Sequence, residues 1–298
     1  MICPVCNSKN ISFAFTCDNY EEIFDVEKCI DCECFFQKKN GNVKLEKLYQ
    51  EEYYSGNANY SYHDERKTFY YDNFVWQARI KSIRKFQKNA RTFLDVGCAF
   101  GGFTQAASKH FESYGVDLSH FAVLKGNQWA NENKFIDEKF KGIYEGSLMN
   151  FPEELVSKKF DIVSLIEVAE HLSNPRKEFK KAFEILNSSG VLVIQTANFE
   201  GWQAINQGQN YHYFMPGHLV YFRATALKTL LKDIGFKQFK EFFPVDFSLF
   251  VKLRKSRGHF DRPWDYLKWF KISYYHLKSK FWYKGNPLTS SYVLYAKK

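Results

Sequence analysis

From Arg91 onward, short apolar runs alternate with amphipathic segments, and this alternation leaves few folds open. Thr92–Val96, Tyr114–Asp117, Phe160–Ile166 and Val191–Thr196 are apolar runs of strand length, and amphipathic segments fill about 102–110, 120–133, 175–187 and 224–234. Strands buried on both faces read as continuous apolar runs, and parallel neighbours need crossover connections. The pattern therefore predicts an α/β fold: a mostly parallel sheet with helices on both faces. Phe236–Phe250 and Ser291–Lys297 read as two closing strands around an insertion at 249–285. Ahead of this unit lie a polar, cysteine-rich stretch (1–45) and a region (46–90) that reads as a tyrosine-rich linker and helical lid. Within the latter, Tyr53 to Tyr62 reads as a loop, and Phe74, Ala78, Ile80, Ile83 and Phe86 recur at roughly helical spacing.

The segment Phe93-Leu-Asp95-Val-Gly97-Cys98-Ala99-Phe100-Gly101-Gly102 runs from a strand through a glycine turn into a helix. Glycine lets a backbone approach a ligand closely, as in dinucleotide loops. Asp117 ends the next strand 22 residues after Asp95, where a carboxylate can accept both ribose hydroxyls. A P-loop lysine is absent, which argues against a nucleoside triphosphate; a dehydrogenase shares the glycine turn and the acid.

Three segments in order, the glycine loop, Gly115-Val-Asp117-Leu-Ser119, and Phe160-Asp161 through Glu167-Val-Ala-Glu170-His171-Leu, resemble the first, second and fourth motifs of class I methyltransferases. The resemblance covers 91 to about 245. It implies a seven-stranded, Rossmann-like sheet with an antiparallel last strand, and S-adenosylmethionine as cofactor. On this resemblance the cofactor site comprises Asp95 and the loop of Gly97, Cys98, Ala99 and Gly101 around the methionine moiety. Asp117, with Leu118 beside it, takes the ribose; Ser147 and Leu148 face the adenine; Glu167 completes the set. The family's middle loop glycine is Ala99 here, which a loop with negative φ accepts. The family's frequent adenine-binding Asp is Ser147 here, a weaker hold on the amino group.

Seven cysteines, an odd number, and a start without a basic stretch and apolar run argue against disulfides and for an intracellular, cytoplasmic protein. Cys3-Pro-Val-Cys6 and Cys29-Ile-Asp-Cys32 are two C-x₂-C knuckles separated by 22 residues. Two such turns close a tetrahedron of thiolates, so Cys3, Cys6, Cys29 and Cys32 are expected to hold a structural zinc in a ribbon. Cys17 and Cys34 are expected to be spare. A zinc ribbon ahead of a class I domain also resembles sugar C-methyltransferases, which continue into a further C-terminal domain.

Methyl transfer from a sulfonium needs alignment and, for a hydroxyl acceptor, a base. Glu167, Glu170 and His171 are spaced i, i+3 and i+4, so one helical turn puts them on one face. With His218 they suit a divalent cation, Mg or Mn, which resembles the arrangement in ubiquinone-pathway and small-RNA O-methyltransferases; in the competing reading the Glu-His pair only shapes the pocket and caps the next helix. The segment Gly217-His218-Leu-Val-Tyr221-Phe222 resembles one whose histidine acts as base in such enzymes. His218, His171 and Glu170 are therefore the candidate catalytic residues.

The net charge of +9 is concentrated. Residues 249–285 hold seven Lys and three Arg against two Asp, eight of the nine net charges, interleaved with nine Trp, Tyr and Phe residues between Trp264 and Tyr283. A nucleic-acid surface, peripheral contact with an anionic inner membrane surface, a lid over a glycan and a packed hairpin with solvated lysines all fit this composition. The reading that unites these features is O-methylation of a small-molecule or glycan acceptor. The alternatives are an RNA methyltransferase and a non-catalytic module that keeps the fold.

Overall fold

The computed structural model describes residues 1–18, 22–38, 49, 51–55, 62–132 and 137–298. Strands β1 (Ile11–Cys17), β2 (Phe24–Cys29) and β3 (Phe35–Gln37) precede helices α1 (Glu51–Ser55) and α2 (Glu65–Phe86). Next come β4 (Thr92–Val96), α3 (Gly102–Ser108), β5 (Glu112–Asp117), α4 (His120–Glu132), β6 (Phe140–Glu145) and β7 (Phe160–Ile166). They are followed by α5 (Pro175–Ile185), β8 (Leu186–Ala197), α6 (Trp202–Gln207), β9 (Val220–Tyr221), α7 (Ala224–Ile234) and β10 (Gln238–Phe242). Helices α8 (Leu249–Ser256) and α9 (Lys268–Lys278), the short pair β11 (Trp282–Tyr283) and β12 (Asn286–Pro287), and β13 (Ser291–Lys297) close the chain.

Seven strands form one sheet in the order β10-β13-β8-β7-β4-β5-β6. All neighbours from β8 to β6 pair in parallel, and β13 runs antiparallel to both β8 and β10. This is the expected class I sheet. Successive residues point to opposite faces, so continuous apolar runs feed two cores. Phe93, Ile162, Val191, Val193, Val293 and Tyr295 pack with α2 and α3 through Ile80, Ile83, Phe103 and Ala106. Their neighbours Leu94, Val163, Leu192 and Leu294 pack on the other face with Phe179 of α5 and Leu227 and Leu231 of α7. Local chemistry sets the helix starts. Asn174 accepts the amide of Lys177 and Glu178 returns to the amide of Asn174 (3.2 and 3.0 Å), with Pro175 at the first helical position.

The structure departs from the sequence expectations at four places. Phe236–Phe250 is not one strand. β10 stops at Phe242, two residues before Pro244, which has no amide for the ladder, and α8 starts at Leu249. Strand β6 was not foreseen, because this edge strand buries only Ile143 and carries no apolar run. Tyr53 and Tyr54 lie in α1 and not in a loop, while residues 56–61 of that stretch lie outside the described residues.

The fourth departure concerns the cysteine-rich segment. Its antiparallel sheet, β1-β2-β3, is completed by β9, with Phe36 opposite Val220 and Phe35 opposite Tyr221. Cys3, Val5, Cys29, Cys34 and Phe36 belong to the same apolar cluster as Leu94, Leu165 and Leu230. The ribbon thus shares its core with the large unit. No helix of the described residues is long and apolar enough to cross a membrane.

Candidate active site

The sheet order reverses between β4 and β7, and in open α/β sheets ligands sit beyond the strand carboxyl ends at such a point. A cavity of about 1390 Å³ lies there. Val96, Gly97, Ala99, Asp117, Leu118, Ser147 and Leu148 line one part; Glu167, Glu170, His171, His218 and Tyr213 line another. A drug-sized ligand needs roughly 300–1,000 Å³, so there is room for two small molecules side by side.

Asp117 ends β5 with its carboxylate buried. The amide of Ala99 donates to Oδ2 (2.8 Å), and the amide of Ser119 and the hydroxyl of Tyr54 donate to Oδ1 (2.9 and 3.3 Å). Burial raises its pKa, and these three donors oppose the rise. Asp95 is also buried, but it faces the scaffold. It accepts Ser164 (2.6 Å) and Thr104 (3.2 Å), and burial pushes it up to about 7. Asp95, Cys98 and Gly101 do not line the cavity, whereas Gly97, Ala99, Asp117, Leu118, Ser147, Leu148 and Glu167 do. Ser147 uses its hydroxyl oxygen locally, accepting the amides of Met149 and Asn150 (3.2 and 2.9 Å).

The loop corrects one expectation. Ala99 has φ +49, not a negative value; the left-handed region costs an alanine about 1–2 kcal/mol, held here by the Ala99–Asp117 bond. Gly97 is demanded by packing as well as by its φ of +69, since a Cβ there would stand 2.5 Å from Cγ2 of Val168. Gly97→Ala should therefore destabilise the fold by about 2–4 kcal/mol in denaturant titrations. Val168→Ala should recover the clash part of that loss; equal penalties in both backgrounds would contradict the contact.

At the other end, Glu170 and His171 lie in a 3₁₀ turn after β7, and His218 precedes β9. One ligand atom from each of the three lies within 4.8 Å of the others. Glu167 does not join them: its φ is +57 and its carboxylate takes the amide of Gln195, itself bonded to Arg79. A single helical turn was expected to unite Glu167, Glu170 and His171, and the left-handed residue breaks that turn. Glu170 Oε2 accepts Thr196 (2.8 Å), while Oε1 is buried without a donor among the described residues. Burial, then the neighbouring Glu167, holds its pKa well above the usual carboxylate range.

Both imidazoles are held by their Nδ1 atoms. His171 Nδ1 donates to the carbonyl of Gly217 (2.7 Å), with the Tyr49 hydroxyl at 2.7 Å from the same nitrogen; His218 Nδ1 donates to the carbonyl of Tyr213 (2.9 Å). A carbonyl only accepts, so each ring keeps a lone pair on Nε2. Burial pushes His171 down to about 4, and burial with its neighbour His171 holds His218 well below the ordinary value. Both rings are neutral at pH 7. Tyr49, Tyr53, Tyr54 and the ribbon residues Met1–Pro4 also line the cavity. Cys3 apart, which was expected as a zinc ligand, the sequence assigned them no site role, although the density of tyrosines around 49–62 was a signal.

The four knuckle cysteines converge at the ribbon's tip. Cys3 and Cys32 Sγ are 3.6 Å apart, Cys6 and Cys29 Sγ 3.5 Å, and all four lie within 4.8 Å of one another. A tetrahedral Zn–S₄ site with bonds of about 2.3 Å has sulfur–sulfur edges of roughly 3.8 Å, so this donor set fits zinc. Cys34 accepts the amide of Arg223 at 3.5 Å and Cys17 sits 3.7 Å from the carbonyl of Phe214; neither joins the cluster.

Residues 70–240 match a family model described as a methyltransferase domain. Ubiquinone biosynthesis O-methyltransferases of Histophilus somni and, from the mitochondrion, of Candida albicans are each 26% identical, over 121 and 160 residues. These matches cover 40% and 52% of this chain, which spans half or less of the relatives (50% and 46%). A methyltransferase structure from Archaeoglobus fulgidus superposes with a TM-score of 0.48 at 19% identity, covering 76% of this chain and 94% of that one. The family match reaches from α2 to β10, over more than half of the chain, and takes in the loop and both ends of the cavity. This chain is a member of the methyltransferase domain family, of the class I S-adenosylmethionine-dependent type.

Proposed function

We propose that the chain methylates a hydroxyl of a small polyhydroxylated acceptor, a sugar or glycan precursor, with S-adenosylmethionine as donor. One observation carries this: a single cavity joins the loop and Asp117 to the Glu170–His171–His218 group. Bound there, the cofactor supplies a methyl group on a sulfonium, open to in-line displacement. The backbone of Gly97 and Ala99 would face its methionine moiety, and Asp117 would accept from the ribose hydroxyls. Ser147 has its oxygen engaged and offers only its O–H toward the adenine. Asp95 beneath the loop, with Cys98 and Gly101 within it but off the cavity, would keep its shape. Tyr49, Tyr53 and Tyr213 give the acceptor part aromatic walls with polar tips, suited to a sugar ring. The curated relatives are named as O-methyltransferases, which supports oxygen as the methylated atom.

His218 is the base in this reading, taking the hydroxyl proton on Nε2. A second reading is favoured by the unmatched Oε1 of Glu170. With the two Nε2 lone pairs it makes a donor set for a divalent cation such as Mg or Mn, each histidine being fixed by a backbone carbonyl in the way metal ligands are. Such a cation would make a bound hydroxyl more acidic. Apart from this site, Cys3, Cys6, Cys29 and Cys32 would hold a structural zinc.

Calorimetry with S-adenosylhomocysteine tests the cofactor assignment. Asp117→Ala should weaken binding by about 1–3 kcal/mol, the scale for losing a charged acceptor. Unchanged affinity would remove Asp117 from the site. Transfer of labelled methyl to sugar nucleotides, insensitive to salt, would separate this reading from RNA methylation, which phosphate contacts make salt-sensitive.

A further inference from the structure

The segment at 249–285 presents a face that the methyl-transfer chemistry does not use. Helix α8 packs on α2, and α9 packs on α8 with Trp269 Nε1 donating to Ser256 (3.0 Å) and with His276 buried. These contacts fix which side of α9 is outward. On that side stand Leu267 (65% exposed), Phe270 (77%), Tyr274 (59%) and Leu277 (51%), followed by Phe281 (65%). Their spacing of three, four, three and four residues makes one apolar stripe along the helix and just past its end. Lys271 and Lys278 each follow a stripe residue by one position, so they border it on the same flank, and both are exposed. Trp264, Trp282 and Tyr283 extend the exposed aromatic surface at the two ends.

Large apolar residues in contiguous exposure mark a contact surface, since soluble monomers bury or scatter them. The fringe of charge decides the occupant. Seven Lys and three Arg against two Asp give the segment strong attraction for an anionic plane. A second copy of the chain would bring two lysine fringes together. Nucleic-acid bases stack on aromatic rings, but Leu267 and Leu277 offer them no π-face. Lys278 Nζ lies 5.7 Å from the Tyr274 ring centre and Lys284 Nζ 5.5 Å from that of Tyr283, so both ammonium groups sit directly beside the exposed aromatic surface. Phe and Leu for insertion, Trp and Tyr at headgroup level and Lys at the rim are what an interfacial helix needs.

We propose that α9 and its flanks dock on an anionic phospholipid bilayer, the stripe lying in the plane of the interface. Flotation of the full chain with unilamellar vesicles tests this. It should float with phosphatidylcholine vesicles containing phosphatidylglycerol, less as salt rises, and remain behind with pure phosphatidylcholine. Phe270→Ser with Leu277→Ser should reduce partitioning by at least about tenfold, and Lys271→Glu with Lys278→Glu by a similar factor. These residues are exposed, so thermal unfolding of both variants should match the parent. Absence of flotation on the anionic vesicles overturns the proposal, as does flotation indifferent to both pairs. Stripe-dependent dimerisation, or stripe-dependent RNA binding, with no flotation would assign the face to those partners instead.

Discussion

His218→Ala is expected to lower turnover by roughly 10²–10⁴-fold, the range of a lost general base, while S-adenosylhomocysteine binds nearly as before. The separation follows from the cavity: His218 is held by Tyr213 beside His171 and Glu170, while the loop and Asp117 line another part. The pH dependence has a definite sign. A base must be neutral, and burial with the neighbouring His171 lowers the pKa of His218, so activity should persist through neutral pH. It should fall only in acid, below the ordinary imidazole value, and the variant should lose that limb. A cation in the same place predicts otherwise. Chelator should then abolish activity in protein that retains its ribbon metal, and Glu170→Ala should match the loss, because Glu170 is the one carboxylate of the three-residue cluster. Full activity in both the His218 variant and the chelated enzyme would defeat both versions.

Cys29→Ser is expected to release about one zinc per chain by elemental analysis, and its effect should spread beyond residues 1–45. An autonomous ribbon would unfold alone. Here Cys29 is buried in the cluster shared with Leu94 and Leu165, and β3 is paired with β9 two residues after His218. Met1–Pro4 wall the cavity as well. Loosening the knuckles should therefore displace the acceptor site, and misplacement by about 1 Å can cost roughly 10²-fold in rate. Cofactor affinity should hold, since no ribbon residue touches the loop or Asp117 in the described hydrogen bonds. Metal-free protein with an ordered N-terminus and full turnover would contradict both the zinc and the coupling.

The central strands were legible because they are buried on both faces, which forces unbroken apolar runs such as Phe93-Leu94 and Val191–Ile194. The loop and Asp117 were legible because a strand end, a glycine turn and an acid at the next strand end are neighbours in sequence as well as in space. Where burial weakens, the pattern fails: edge strand β6 buries one residue, and β10 gives way to a turn at Pro244 that hydropathy does not mark.

By itself the sequence determined the central strands, the glycine turn between β4 and α3 and the cysteine quartet, each written in short-range spacing or in periodicity imposed by burial. Only the tertiary structure decided what depends on contacts between distant segments. It kept Glu167, at positive φ, out of the Glu170–His171–His218 cluster and turned its carboxylate to Gln195. It set Ala99 at positive φ because Asp117, 18 residues on, accepts its amide. It joined the ribbon to His218 through a two-residue strand too short to announce itself. And it turned the apolar positions of α9 outward, because α8 and Trp269 had already taken the other side. Periodicity names a helix's faces; only packing says which of them meets solvent.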